Sequence, residues 1–139
     1  MFLDIDGVLN GYNVYQSNRP YPLSEFNEEK VEILNSLFDE MPEIKLVLSS
    51  SWRFFGGIEN IIRESGIKKE LFSITPYSII NRGDEVKQWL NNFDGEYKYC
   101  IVDDVDDFDK DQKNNIVFTD PNIGITKKDV EKIKLIFNG

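Results

Sequence analysis

The 139 residues match about one domain, and 40% of them are hydrophobic, enough to bury one core. A formal net charge of −9 argues against gripping nucleic acid through a broad basic surface, because phosphate backbones are held mainly by Lys and Arg. The absence of histidine excludes Ser-His-Asp and Cys-His catalysis, so any chemistry must run on carboxylates, hydroxyls, Lys, Arg and metal.

The chain opens MFLDIDGVLN, which reads as a short strand ended at Gly7. Residues i and i+2 of a strand share a side, so Asp4 and Asp6 would stand together and repel each other unless something compensates them. GYNVYQSNRPYPLSE has no period and two prolines, and reads as a loop or flap leading to Ser24 or Asn27, either of which can cap a helix over 27–40. Val31, Leu34, Leu37 and Phe38 have helical spacing there. IKLVLS is a continuous apolar run, as in a parallel strand covered on both faces, with SSWRFFGG as its exit loop. Ile58 to Ser65 reads as a helix stopped by Gly66, ELFSITPYSII as strand or loop, and Asp84 to Leu90 as a helix with Val86, Trp89 and Leu90 on its apolar face.

KYCIVDD and NNIVFTD are further buried strands, and Thr126 with Asp129 resembles a capping box before a last helix, DVEKIKLIF. Cys100, the single cysteine, lies inside an apolar run and reads as a buried structural thiol; a disulfide within the chain is impossible. No apolar run approaches the roughly 20 residues that span a bilayer, and the N-terminus lacks signal-peptide features, so a cytoplasmic protein without membrane contact is expected.

Strands alternating with helices predict an α/β fold with a parallel sheet, whose active sites form beyond the carboxyl ends of the strands. Polar clusters fall at three of those ends: Asp4/Asp6, Ser49/Ser50 and Asp103/Asp104. Packed carboxylates are tolerable around a hard divalent cation, and Mg²⁺ shared between one or two carboxylates and a substrate phosphate is a common arrangement.

These residues resemble the haloacid dehalogenase superfamily of Mg²⁺-dependent phosphohydrolases, over essentially the whole chain. LDIDGVLN matches its first motif, DxDGxLx; LVLSS its second, an apolar strand ending in Ser or Thr; and CIVDD its fourth, an apolar strand ending in paired acids. The resemblance implies a single Rossmann-like domain over 1–139, three-layered α/β/α, and a phosphatase working through an aspartyl-phosphate. Asp4 would be the nucleophile and Asp6 the general acid and base. Asp4, the Asp6 backbone carbonyl and Asp103 would hold Mg²⁺, with Asp104 supporting or alternative and Asp107 a longer-spaced option. Ser49, or alternatively Ser50, would hydrogen-bond the phosphoryl oxygens, and Gly7 would let the backbone approach them. Where the family places a lysine cation, this chain offers Arg82, with Lys87 one turn on. Asp106 and Asp109 read as solvated loop charges.

SSSWR and TDPNIGIT resemble a subset of small domains of this superfamily, some linked to nucleic-acid end repair. On that reading Arg53 would hold a second substrate phosphate; otherwise Trp52 packs on the sheet edge and Arg53 pairs with a surface acid. TDPNIGIT otherwise reads as a strand end, a turn and a helix cap. Tyr12, Tyr15, Tyr21 and Pro20 in the flap either lean over a substrate base or anchor the loop. The gaps from Gly7 to Lys45 and from Arg53 to Arg82 are too short for a cap domain, so the site should be open, with Arg19, Arg53 and Arg82 as local positive charge. The expected substrate is a phosphorylated one, a nucleic-acid end or a nucleotide, and no partner protein is inferable. The competing classes are a phospho-receiver domain, in which the acceptor follows a middle strand and the acid pair the first, and a catalytically silent binding module.

Overall fold

The computed structural model describes residues 1–14 and 17–139. Its strands are β1 (Phe2–Leu3), β2 (Leu46–Leu48), β3 (Leu71–Ile74), β4 (Ile101–Asp103) and β5 (Ile116–Phe118), and its α-helices α1 (Glu28–Glu40), α2 (Ile58–Glu64), α3 (Arg82–Asn91) and α4 (Lys127–Asn138). The strands form one sheet in the order β3-β2-β1-β4-β5, every pairing parallel. The ELFSITPYSII stretch, read from sequence as strand or loop, supplies the edge strand β3.

Strand alternation divides the core into two layers. Leu3, Leu46, Leu48, Val102 and Val117 face one side, where Leu34 and Leu37 of α1, Ile62 of α2 and Ile133 of α4 cover them. Phe2, Val47, Ile101 and Ile116 face the other, against Val86 and Leu90 of α3. This is the expected three-layer α/β/α arrangement. Cys100 is fully buried, and that burial pushes its thiol up to about 12, so it behaves as core.

Helix ends follow local chemistry. Asn27 caps α1, its Oδ1 accepting from Lys30 N at 3.2 Å. Asn81 caps α3, which starts two residues before the sequence reading placed it. Thr126 and Asp129 form the anticipated capping box on α4. Among the described residues, β1 and β2 are joined by a flap, a 3₁₀ turn (Leu23–Glu25) and α1, and β2 and β3 by a 3₁₀ turn (Ser51–Phe54) and α2. Neither connection holds a cap domain. No described helix is long and apolar enough to cross a membrane.

Candidate active site

The site lies where β1 separates β2 from β4, the point at which the chain's direction across the sheet reverses. Leu3 pairs with Leu48 on one side and Val102 on the other, which sets Asp4, Ser49 and Asp103 in one row at the carboxyl edge. Two hydrogen bonds extend the ladder to that row: Ser49 N donates to Leu3 O at 2.9 Å and Asp4 N to Val102 O at 3.0 Å. Ligands of open α/β sheets bind at such a switch point. The order also differs from the 2-1-3-4-5 sheet of response-regulator receivers, and Asp-x-Asp lies on the first strand, so the arrangement speaks against the receiver alternative.

From the opposite layer, Arg82 at the start of α3 reaches into the row. Its Nη1 lies 2.6 Å from Asp103 Oδ2 and 3.3 Å from Asp4 Oδ2. Asp107, considered above as a metal ligand, instead accepts from Arg82 N at 3.1 Å, and its carbonyl accepts from Gly83 N, so it moors the helix that carries the cation.

Burial, then the neighbouring Asp103 carboxylate, pushes the Asp4 carboxyl up to about 8. Burial also raises Asp103, against the opposing pull of Arg82. For Arg82, burial favours the neutral form, but the two carboxylates outweigh it and hold the guanidinium above its usual range. Asp4, Asp103 and Asp104 each offer a carboxylate oxygen, all within 4.8 Å of one another. Three hard oxygen donors gathered this closely suit Mg²⁺. The Asp6 carboxylate stands outside this group.

Gly7 serves this cluster in a different way from the one expected. Its φ of +80° is the left-handed conformation that favours glycine, and a Cβ there would collide with the Asp104 carboxylate. Its N–H donates to Asn10 Oδ1 at 2.9 Å and its carbonyl accepts from Thr119 Oγ1 at 2.7 Å, so neither backbone group is directed at a substrate.

The two serines divide. Ser50 Oγ accepts from Trp52 N at 3.2 Å and caps the 3₁₀ turn. Ser49 is only 3% exposed, and its hydroxyl has no hydrogen-bond partner; among the described residues Thr75, just past β3, shares that condition.

Three expected substrate contacts are engaged elsewhere. Arg53 is buried, and its guanidinium donates to the carbonyls of Ser49, Ser50, Thr75 and Pro76 and, at 2.9 Å, to Glu85 Oε2. With its five N–H groups matched to five acceptors, it holds loops together instead of gripping a second phosphate. Its acid partner, Glu85, is buried rather than on the surface. Lys87 turns outward to Asp109 and Asp111, at 2.7 and 3.2 Å. Arg19 donates to Glu64 O and Ser65 O, fastening the flap to the end of α2. Of the loop acids, Asp109 pairs with Lys87 and Asp106 with Lys113.

Asn10 and the Trp52 indole N–H were not anticipated as site groups. Trp52 Nε1 donates to Asp6 Oδ2 at 3.1 Å and Asn10 Nδ2 to Asp6 Oδ1 at 3.2 Å. Asn10 is the last position of the first motif, a place that could have drawn attention; nothing local marks the indole, which meets Asp6 across 46 residues. TDPNIGIT braces the same loop: Tyr12 N donates to Pro121 O, Asn13 N to Asn122 O and Ile125 N to Val8 O. Gly124, at φ +82°, lies so close that a Cβ would sit 2.8 Å from Val8 O. Tyr12 is exposed, and the Tyr21 ring centroid is 6.1 Å from that of Trp52. Tyr15 lies outside the described residues.

Residues 1–130 match the family described as the HAD domain in Swiss Army Knife RNA repair proteins, HAD standing for haloacid dehalogenase. No curated protein matches the chain. No solved structure matches it either.

Proposed function

Because this chain belongs to the HAD-domain family of Swiss Army Knife RNA repair proteins, we propose that it is a phosphatase that removes terminal phosphates from nucleic acid through an aspartyl-phosphate. The observation that carries this reading is the unpartnered Ser49 hydroxyl, buried in the same row as Asp4 and Asp103. A buried hydroxyl without a partner is costly, and a phosphoryl oxygen would supply the missing acceptor.

In the first step an Asp4 carboxylate oxygen attacks phosphorus, the bond to the leaving oxygen breaks, and that oxygen takes a proton from the Asp6 carboxyl. In the second, water attacks the same phosphorus, gives its proton to the Asp6 carboxylate, and the acyl-phosphate bond breaks to restore Asp4. The sum is ester plus water to alcohol plus phosphate. Arg82 and Ser49 orient and neutralise the phosphoryl oxygens. Asp4, Asp103 and Asp104 are the residues that would hold Mg²⁺, which when bound offsets the charge of the phosphoryl group.

Support for a nucleic-acid end comes from the rim. Tyr12 and Tyr21 follow β1, Phe54 follows β2, and Tyr77, Ile79 and Ile80 follow β3; all are exposed at the edge that carries the site. Unpaired bases stack on the aromatic members of this rim. With Arg19 and Arg53 engaged on backbone, base stacking outweighs backbone charge in this reading. The test is phosphate release, with Mg²⁺, from 3′- and 5′-phosphorylated oligonucleotides and the matching mononucleotides. Preference for an oligonucleotide, lost in Asp4→Asn, is expected; preference for the mononucleotides would overturn the substrate assignment, and wild-type turnover by Asp4→Asn the mechanism.

A further inference from the structure

Asp6 is an exposed side chain, and an exposed carboxyl ordinarily exchanges between rotamers. Here each of its oxygens accepts a hydrogen bond from a different part of the chain, Oδ2 from the Trp52 indole and Oδ1 from Asn10. Neither donor is free to move. Trp52 is buried, with the rings of Phe26 and Phe55 at 5.4 and 5.2 Å and its own backbone N–H on Ser50. Asn10 is buried too: Oδ1 accepts from Gly7 N, and Nδ2 also donates to Glu25 O at 2.9 Å.

We propose that Trp52 and Asn10 are positioning residues that fix the Asp6 carboxyl for proton exchange with the leaving oxygen and then with water. This rests on the phosphatase reading above, and it gives Trp52 a task other than packing. A positioned acid or base contributes about 10²–10⁴-fold to rate, and a small displacement can forfeit a large part of that. The benefit depends on the leaving group. An alkoxide must be protonated as it departs, whereas p-nitrophenolate leaves without a proton.

Trp52→Phe keeps an aromatic ring and deletes the N–H. With Mg²⁺ and rapid mixing, its kcat on an alkyl phosphate should fall about 10-fold or more at little-changed KM. On p-nitrophenyl phosphate it should release one equivalent of nitrophenolate at the wild-type rate and then slow, because the second step still needs Asp6. Phe26→Leu alters the packing of Trp52 without touching its N–H; it should lower the Tm yet leave the ratio of the two ester rates unchanged. Equal loss of the first-turnover rate on both esters in Trp52→Phe, or loss on neither, overturns the proposal. If that variant does not fold, Asn10→Asp gives the same comparison, since it keeps an acceptor for Gly7 and turns a carboxylate toward Asp6: selective loss on the alkyl ester supports the proposal and equal loss overturns it. Wild-type protein that releases no phosphate from either ester or from a phosphorylated oligonucleotide, itself an alkyl phosphate, would remove the phosphatase reading, and this proposal with it.

Discussion

Ser49 and Ser50 are adjacent identical residues, and only their surroundings separate them. A buried hydroxyl without a partner has lost its water and received nothing in return, a deficit of about 1–3 kcal/mol. Ser49→Ala should therefore leave the Tm unchanged or raise it while lowering kcat/KM about 10- to 100-fold, the reverse of a substitution at a structural residue. Ser50→Ala, which removes the cap on the turn carrying Trp52, should lower stability by about 1 kcal/mol. Chemical denaturation and steady-state kinetics on the two variants check both outcomes. A marked loss of stability in Ser49→Ala would mean that its hydroxyl has a protein partner after all.

Among the secondary elements, the Arg53–Glu85 pair is the central fastening. It joins the exit turn of β2 to the end of β3 and to α3, and both side chains are nearly inaccessible to solvent. Burial pulls the Arg53 guanidinium below its usual range, and Glu85 partly restores it. Removing one member of such a pair leaves the other charge buried, at about 3–5 kcal/mol, whereas replacing both with apolar residues is often nearly neutral. Arg53→Met should thus be strongly destabilising, and Arg53→Met with Glu85→Met should recover part of the loss. A double-mutant cycle in urea measures this; additive losses would show that the two residues act separately.

Across the whole molecule, the proposed metal site exists only when β1 and β4 come together, so Mg²⁺ held there would stabilise the folded state. At a free concentration about 100 times Kd it should add about 2.7 kcal/mol of stability. Because the metal-free Asp4 carboxyl is raised to about 8, below that pH the ion must displace a proton from it, and affinity should increase up to about pH 8 and level off above. Melting curves and Mg²⁺ titrations between pH 6 and 9 would show this; a pH-independent Kd would mean that Asp4 is already ionised. The aromatic and aliphatic rim makes a second prediction. If the terminal phosphate is the main ionic contact, log affinity for a single-stranded end should fall with log salt at a slope of about −0.7, the value for one phosphate. A slope several times steeper would require a cationic track along the strand.

Much of this protein is decided by short stretches of chain. The apolar runs around Leu3, Val47 and Val102 specify buried parallel strands because they leave no polar face, and Asn27, Thr126 and Asp129 specify helix starts because their side chains satisfy backbone groups within three residues. The convergence of Asp4, Ser49 and Asp103 also follows, since parallel strands bring their carboxyl ends to one edge. What sequence does not contain is how each polar group is used. Arg53 reads as a phosphate ligand until Thr75, Pro76 and Glu85 arrive from 22 to 32 residues away to take its donors, and the Trp52 indole meets Asp6 only because the β2 exit turn folds over the β1 loop. Hydrogen-bond donors are claimed by whichever acceptors the packed loops bring within about 3 Å, and that competition is settled by tertiary structure.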